Sequence, residues 1–124
     1  MPAETAVLHR WDDIPSEALT SAIGRKYITG AHITIARFEL ARGGGVPRHA
    51  HESEQVTSVV RGALRFLFDG QDIIVRAGEV LRIPGWLAHE VHVIEDTLAI
   101  DVFSPVRQDW LEGSDTYFRQ TPNP

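Results

Sequence analysis

The sequence predicts an all-β domain, a small barrel or jelly roll, on three observations. Short β-branched and aromatic runs recur along the chain, Gly, Pro and Asp punctuate them at the intervals of consecutive strands, and helical periodicity is scarce. Strands are predicted over residues 32–40, 55–60, 63–68, 72–76, 80–83, 90–94 and 98–103. The firmest connection is Asp69-Gly70, set between Leu64-Arg65-Phe66-Leu67-Phe68 and Asp72-Ile73-Ile74-Val75, because Asp-Gly supplies the positive φ angles of a two-residue hairpin turn. Arg61-Gly62, Ala77-Gly78 and Pro84-Gly85 break the other runs. Helix is expected in two places only, over 12–22, with Pro15 early and Gly24 just after it, and as one short turn within 109–115. Residues 1–124 read as a single domain with a barrel core at about 31–104 and short N- and C-terminal extensions.

A chain of 124 residues is large enough for one hydrophobic core and too small for a second. With 43% hydrophobic and 23% charged residues it has the composition of a globular domain, and no stretch is apolar enough to span a bilayer, so no membrane partner is expected. The start, Met1-Pro2-Ala3-Glu4-Thr5, has neither the basic nor the apolar region of a secretory leader, which makes a cytoplasmic location the default expectation. The absence of cysteine excludes disulfides, thiolate ligands and cysteine nucleophiles together. A formal charge of -5, with Arg25-Lys26 the longest basic cluster, argues against nucleic acid and toward a small-molecule partner.

Chemistry concentrates in Gly43-Gly44-Gly45-Val46-Pro47-Arg48-His49-Ala50-His51-Glu52-Ser53-Glu54-Gln55. On one extended strand, alternation places His49, His51 and Gln55 on one face and Glu52 and Glu54 on the other, so parity selects the amide over the acids as the third ligand. A second stretch, Gly78-Glu79-Val80-Leu81-Arg82-Ile83-Pro84-Gly85-Trp86-Leu87-Ala88-His89, offers His89 just after a rigid Pro-Gly turn and completes a set of four. Imidazole with an oxygen donor suits one divalent zinc, nickel, iron, manganese or copper ion. The competing reading makes these histidines hydrogen-bonded strand residues with no ion. His9, His32 and His92 receive that reading, His92 because on a strand it faces away from His89.

At these residues the sequence resembles the cupin superfamily. Gly43, His49, His51 and Gly62 fit its first motif in order, and Gly78, Pro84 and His89 fit its second. Gln55 replaces the usual Glu, which makes the ligand set neutral and favours Lewis-acid over redox chemistry. Trp86 replaces a usual Gly and is expected to form a hydrophobic wall or a sugar-stacking face. The His-x-His-x-x-x-Gln variant, together with Asp101-Val102-Phe103-Ser104-Pro105-Val106-Arg107-Gln108-Asp109-Trp110-Leu111, resembles the KdgF-type cupins of pectin and alginate breakdown over roughly residues 37–111.

That resemblance implies conversion of 4,5-unsaturated uronates to linear 4-deoxy-5-keto sugar acids. It implies a metal on His49, His51, Gln55 and His89, with Asp101, Phe103 and Arg107 lining the pocket. Asp101 is then the general acid/base, Arg107 the clamp on the substrate carboxylate and Phe103 a wall. A homodimer is also implied. Two further functions remain open, a metal-dependent dioxygenase and a non-catalytic metal or small-molecule binding module such as a sensor or biosynthetic-cluster accessory. Simple alternation of Leu98, Ile100 and Val102 with Ala99, Asp101 and Phe103 would leave Asp101 facing water, so its functional reading requires both faces of that strand to be covered.

Overall fold

The structure, a computed structural model, describes residues 4–119, with the side chain of Arg119 excepted; Met1, Pro2 and Ala3, part of the start read above, lie outside the described residues. Ten antiparallel strands form two sheets, of order β1-β2-β3-β10-β5-β8 and β4-β9-β6-β7. The strands are β1 (Glu17–Thr20), β2 (Ile23–Thr29), β3 (Thr34–Leu40), β4 (Gly45–His49), β5 (Glu54–Arg61), β6 (Ala63–Phe68), β7 (Gln71–Arg76), β8 (Val80–Ile83), β9 (His89–Val93) and β10 (Thr97–Ser104). A five-residue helix α1 (Gln108–Glu112) follows, beginning one residue before the 109–115 span where one turn was expected and ending within it. The sheets face each other as a jelly roll, and their hydrogen bonding does not close into a barrel. Among the described residues no helix is long and apolar enough to cross a membrane.

Period-two alternation sets the core. Thr34, Ala36, Phe38 and Leu40 of β3, and Thr97, Ala99, Asp101 and Phe103 of β10, point inward against Val46, Leu64, Phe66, Val91 and Val93 of the facing sheet. On β10 the aliphatic residues Leu98, Ile100 and Val102 take the outer face and are only half-buried. Polarity and hydrophobicity are thus inverted relative to simple patterning, because Asp101 is 8% exposed. Asp69-Gly70 does close the β6–β7 hairpin, with Phe68 opposite Gln71, and Gly70 carries the positive φ of 75°.

The helix expected over 12–22 is not present. Trp11–Asp13 forms one 3₁₀ turn, after which β1 and β2 make a hairpin around Ser21-Ala22, whose Ala22 amide donates to Thr20 Oγ1 at 3.1 Å. The local preference of Glu17-Ala18-Leu19 is overridden by pairing. β2 lies in register along the whole of β3, from Ile23 opposite Leu40 to Thr29 opposite Thr34, and buries Leu19 and Ile23 in doing so. The six-stranded sheet therefore begins at Glu17, ahead of the expected core. β4 is also absent from the predicted strands. Its place at the edge of the smaller sheet tolerates the missing Pro47 N–H, and its register against β9 shifts there.

Candidate metal centre

The site is built where the chain twice crosses between the sheets. His49 is the last residue of β4, His51 lies in the crossing and Gln55 enters β5 of the other sheet. The return crossing runs from β8 through Pro84–Ala88 to His89, the first residue of β9. His49 pairs with His89 across β4 and β9, and Gln55 pairs with Phe103 across β5 and β10. The single extended strand expected to carry His49, His51 and Gln55 is thus replaced by two strands in different sheets. Convergence comes from the crossing, not from parity alone. The crossings touch each other directly: Trp86 N–H donates to the His51 carbonyl at 2.7 Å, and a Cβ on Gly85 would lie 2.4 Å from the Glu52 carbonyl oxygen, so only glycine fits there.

Each imidazole is oriented by its own backbone. Nδ1 of His49 donates to the Pro47 carbonyl at 2.9 Å, Nδ1 of His51 to the Ser53 carbonyl at 2.9 Å and Nδ1 of His89 to the Leu87 carbonyl at 2.8 Å. A carbonyl only accepts, so the proton sits on Nδ1 and the Nε2 lone pair is left free in all three rings. Their ligating atoms lie within 4.8 Å of one another. Burial, reinforced by neighbouring positive charge, pushes His49 down to about 3 and His51 to about 4, and burial likewise lowers His89. All three are neutral ligands near pH 7.

Gln55 supplies the observation that tests the donor set. Its Nε2 donates to Thr57 Oγ1 at 2.9 Å, which turns Oε1 toward His51 Nε2 at 3.1 Å. With the His51 proton committed to Ser53, both atoms in that contact carry lone pairs. Two buried acceptors face to face repel unless a cation sits between their lone pairs. Three neutral imidazoles and an amide oxygen fit a late first-row divalent ion.

Asp101, Phe103 and Arg107 line the same cavity as His49, Gln55 and His89. Asp101 faces Thr57 across β10 and β5. Burial pushes its carboxyl up to about 7, against the opposing pull of Thr57 and of Arg107, and its Oδ1 is buried with no hydrogen-bond partner among the described residues. Arg107 is buried between the rings of Phe103 and Trp110, 4.7 and 4.4 Å from its guanidinium carbon. Its Nε and Nη2 already grip Asp109 at 2.9 and 2.7 Å, and Nη2 also donates to the Tyr117 hydroxyl at 2.6 Å. The edge of the guanidinium that carries Nε and Nη2 is therefore occupied while Tyr117 is in place. Trp86 does not line the cavity. It is 68% exposed and held at φ 63°, so the wall expected of it is made instead by Phe103, Phe66 and Tyr117. His9, His32 and His92 are exposed and outside the cluster.

Comparison with known proteins gives the family. The Cupin domain family matches residues 36–103, more than half of the chain. The chain is a cupin. Similar solved structures include KdgF from Halomonas sp., at 27% identity over 80% of this chain and 94% of that one, with a TM-score of 0.74. An RmlC-like cupin from Shewanella frigidimarina matches at 22% identity over 86% and 96%, with a TM-score of 0.78, and the polyketide cyclase RemF from Streptomyces resistomycificus at 20% over 82% and 80%, with a TM-score of 0.68. No curated protein matches in sequence. In this cupin the second-motif glycine position is Trp86, and its positive φ shows why glycine is usual there. Sequence reasoning missed Thr57, Asp109 and Tyr117. Thr57 was recoverable, being two residues beyond Gln55 on the same face, whereas nothing in the sequence ties Tyr117 to a histidine some seventy positions away.

Proposed function

We propose that this cupin is a metal-dependent enzyme that opens and ketonises 4,5-unsaturated uronate monosaccharides. The observation that carries the reading is Asp101, a buried carboxyl with an unpartnered oxygen and a pKa of about 7, in one cavity with His49 and His89 of the three-histidine cluster. The similarity to the Halomonas KdgF supports it.

The reaction is an isomerisation with no change of oxidation state. The proton leaves the anomeric hydroxyl, the C1–O5 bond breaks with its electron pair going to O5 to give an aldehyde at C1 and an enolate at C5, and a proton added to C4 leaves a ketone at C5. One group that accepts the first proton and returns it at C4 serves both steps, and a carboxyl titrating near the working pH is suited to that. Asp101 takes this role. A divalent ion on His49, His51, Gln55 and His89 would supply Lewis-acid polarisation of sugar oxygens. Arg107, fixed by Asp109, binds the substrate carboxylate, and Phe103 and Phe66 exclude water from the reacting carbons.

The experiment supplies metal-loaded protein with a 4,5-unsaturated galacturonate or mannuronate and follows the ultraviolet absorbance of the conjugated double bond. Wild type should accelerate its decay and Asp101→Asn should not. Decay at the rate of the protein-free control would overturn the assignment.

A further inference from the structure

The cavity lined by His49, Gln55, His89 and Asp101 has a volume of about 40 Å³. At about 10–15 Å³ per water, this is room for a few waters and not for a sugar acid. What fills the remaining space is the chain's own C-terminal segment, the 3₁₀ turn Thr116–Arg119 that follows α1. The Tyr117 ring lies flat on the His49 imidazole, with centroids 4.3 Å apart and planes at 6°, and its hydroxyl accepts from Arg107 Nη2. Phe118 is buried beside it in the same cavity wall.

The segment is latched by an independent contact. Arg25 of β2, itself 2% exposed, donates through Nη1 to Asp115 Oδ2 at 2.9 Å, and its guanidinium packs 4.2 Å from the Trp110 ring and 5.8 Å from Phe118. Glu17 takes the other edge of Arg25 at 3.4 Å. The segment thus meets the sheets through the Arg25–Asp115 ion pair, the ring and hydroxyl of Tyr117 and the buried ring of Phe118, and none of these contacts is part of a strand ladder.

We propose that Tyr117 is a specificity-determining residue of this site, the tip of a C-terminal cap that must swing off His49 and Arg107 before a ligand reaches the metal centre. The cap holds an Arg107 donor that a ligand oxygen would otherwise take, so compact carboxylate-bearing ligands able to compete for that arginine are favoured. The identity of the ligand rests on the function proposed above, whereas the cap itself does not.

The six histidines of the chain provide an internal standard for the test. Full-length protein, dialysed against a chelator so that the Nε2 lone pair of His49 is free of metal, is treated with diethyl pyrocarbonate and labelling is quantified at each histidine by peptide mass spectrometry. Labelling of His49 is expressed relative to the exposed His9, His32 and His92 in the same chain. Tyr117→Ala should raise that ratio about tenfold, and Asp115→Asn, which loosens the latch with the ring still present, should raise it several-fold. Tyr117→Phe, which keeps the ring and loses only the tie to Arg107, should fall between wild type and Tyr117→Ala. A ratio in Tyr117→Ala and Asp115→Asn equal to that of wild type would overturn the cap. No substrate enters this measurement. A failed ketonisation assay with raised His49 labelling would overturn the proposed function and leave the cap standing, and the reverse pair of results would do the opposite.

Discussion

Replacing Asp101 by Asn should change stability in a way that depends on pH, and the size of that dependence follows from burial. The carboxyl titrates near 3.8 in an unfolded chain and at about 7 in the folded protein. Between those values the folded state holds a proton that the unfolded state has lost, so stability is greatest at low pH and falls as pH rises through 7. The full window of about three pH units corresponds to about 4 kcal/mol at 1.36 kcal/mol per unit, and the part lying between pH 5 and pH 8 to roughly 3 kcal/mol. Asn cannot ionise, and its own hydrogen-bonding deficit is constant across this range at about 1–3 kcal/mol. The buried histidines titrate in both proteins and cancel in the difference. Urea unfolding of metal-free wild type and Asp101→Asn at pH 5 and pH 8 should therefore show the variant gaining roughly 3 kcal/mol relative to wild type over that interval. A difference that is the same at both pH values would refute the claim that Asp101 is a buried carboxyl with a raised pKa, and with it the basis for its acid/base role.

Other contacts lead to separate expectations. Thr57→Val removes the acceptor that turns Gln55 Oε1 toward His51, and should weaken metal affinity by about 10–100-fold in a competitive chelator titration while leaving the fold intact. Trp86→Gly relieves a non-glycine residue at φ 63° and should stabilise the protein by about 1 kcal/mol in urea, whereas Gly85→Ala drives a methyl into the Glu52 carbonyl and should destabilise it by well over that amount. Arg25→Met leaves Asp115 buried without its partner, for which a loss of about 3–5 kcal/mol is expected, read from the same unfolding curves.

How much of this was legible in the sequence depended on how local the deciding physics was. The β6–β7 hairpin could be read because Asp69-Gly70 fixes its turn without reference to the rest of the fold. The hairpin of β1 and β2 could not, because Glu17-Ala18-Leu19 suits a helix until β3 offers a full-length partner. Gln55 was selected by strand parity, yet the chain changes sheets between His51 and Gln55, so the right atoms converge through a crossing that alternation alone does not describe. Asp101 was legible as a pocket acid only by supposing both faces of β10 covered. Its inward direction is imposed by the buried partners Thr57 and Ala36 on the flanking strands. The occupied fork of Arg107 and the ring of Tyr117 on His49 lie beyond any local pattern, since both arise from how the C-terminal segment folds back over the sheets.

One divalent ion held by His49, His51, His89 and Gln55 underlies the chemistry proposed for this cavity. Elemental analysis of dialysed wild-type protein and of His89→Ala tests it most directly. Close to one transition-metal ion per chain is expected in the wild type and little or none in the variant, whose spectrum and thermal midpoint verify that it is folded. A metal-free wild type that takes up no ion on reconstitution, or a His89→Ala variant that retains full occupancy, would contradict it.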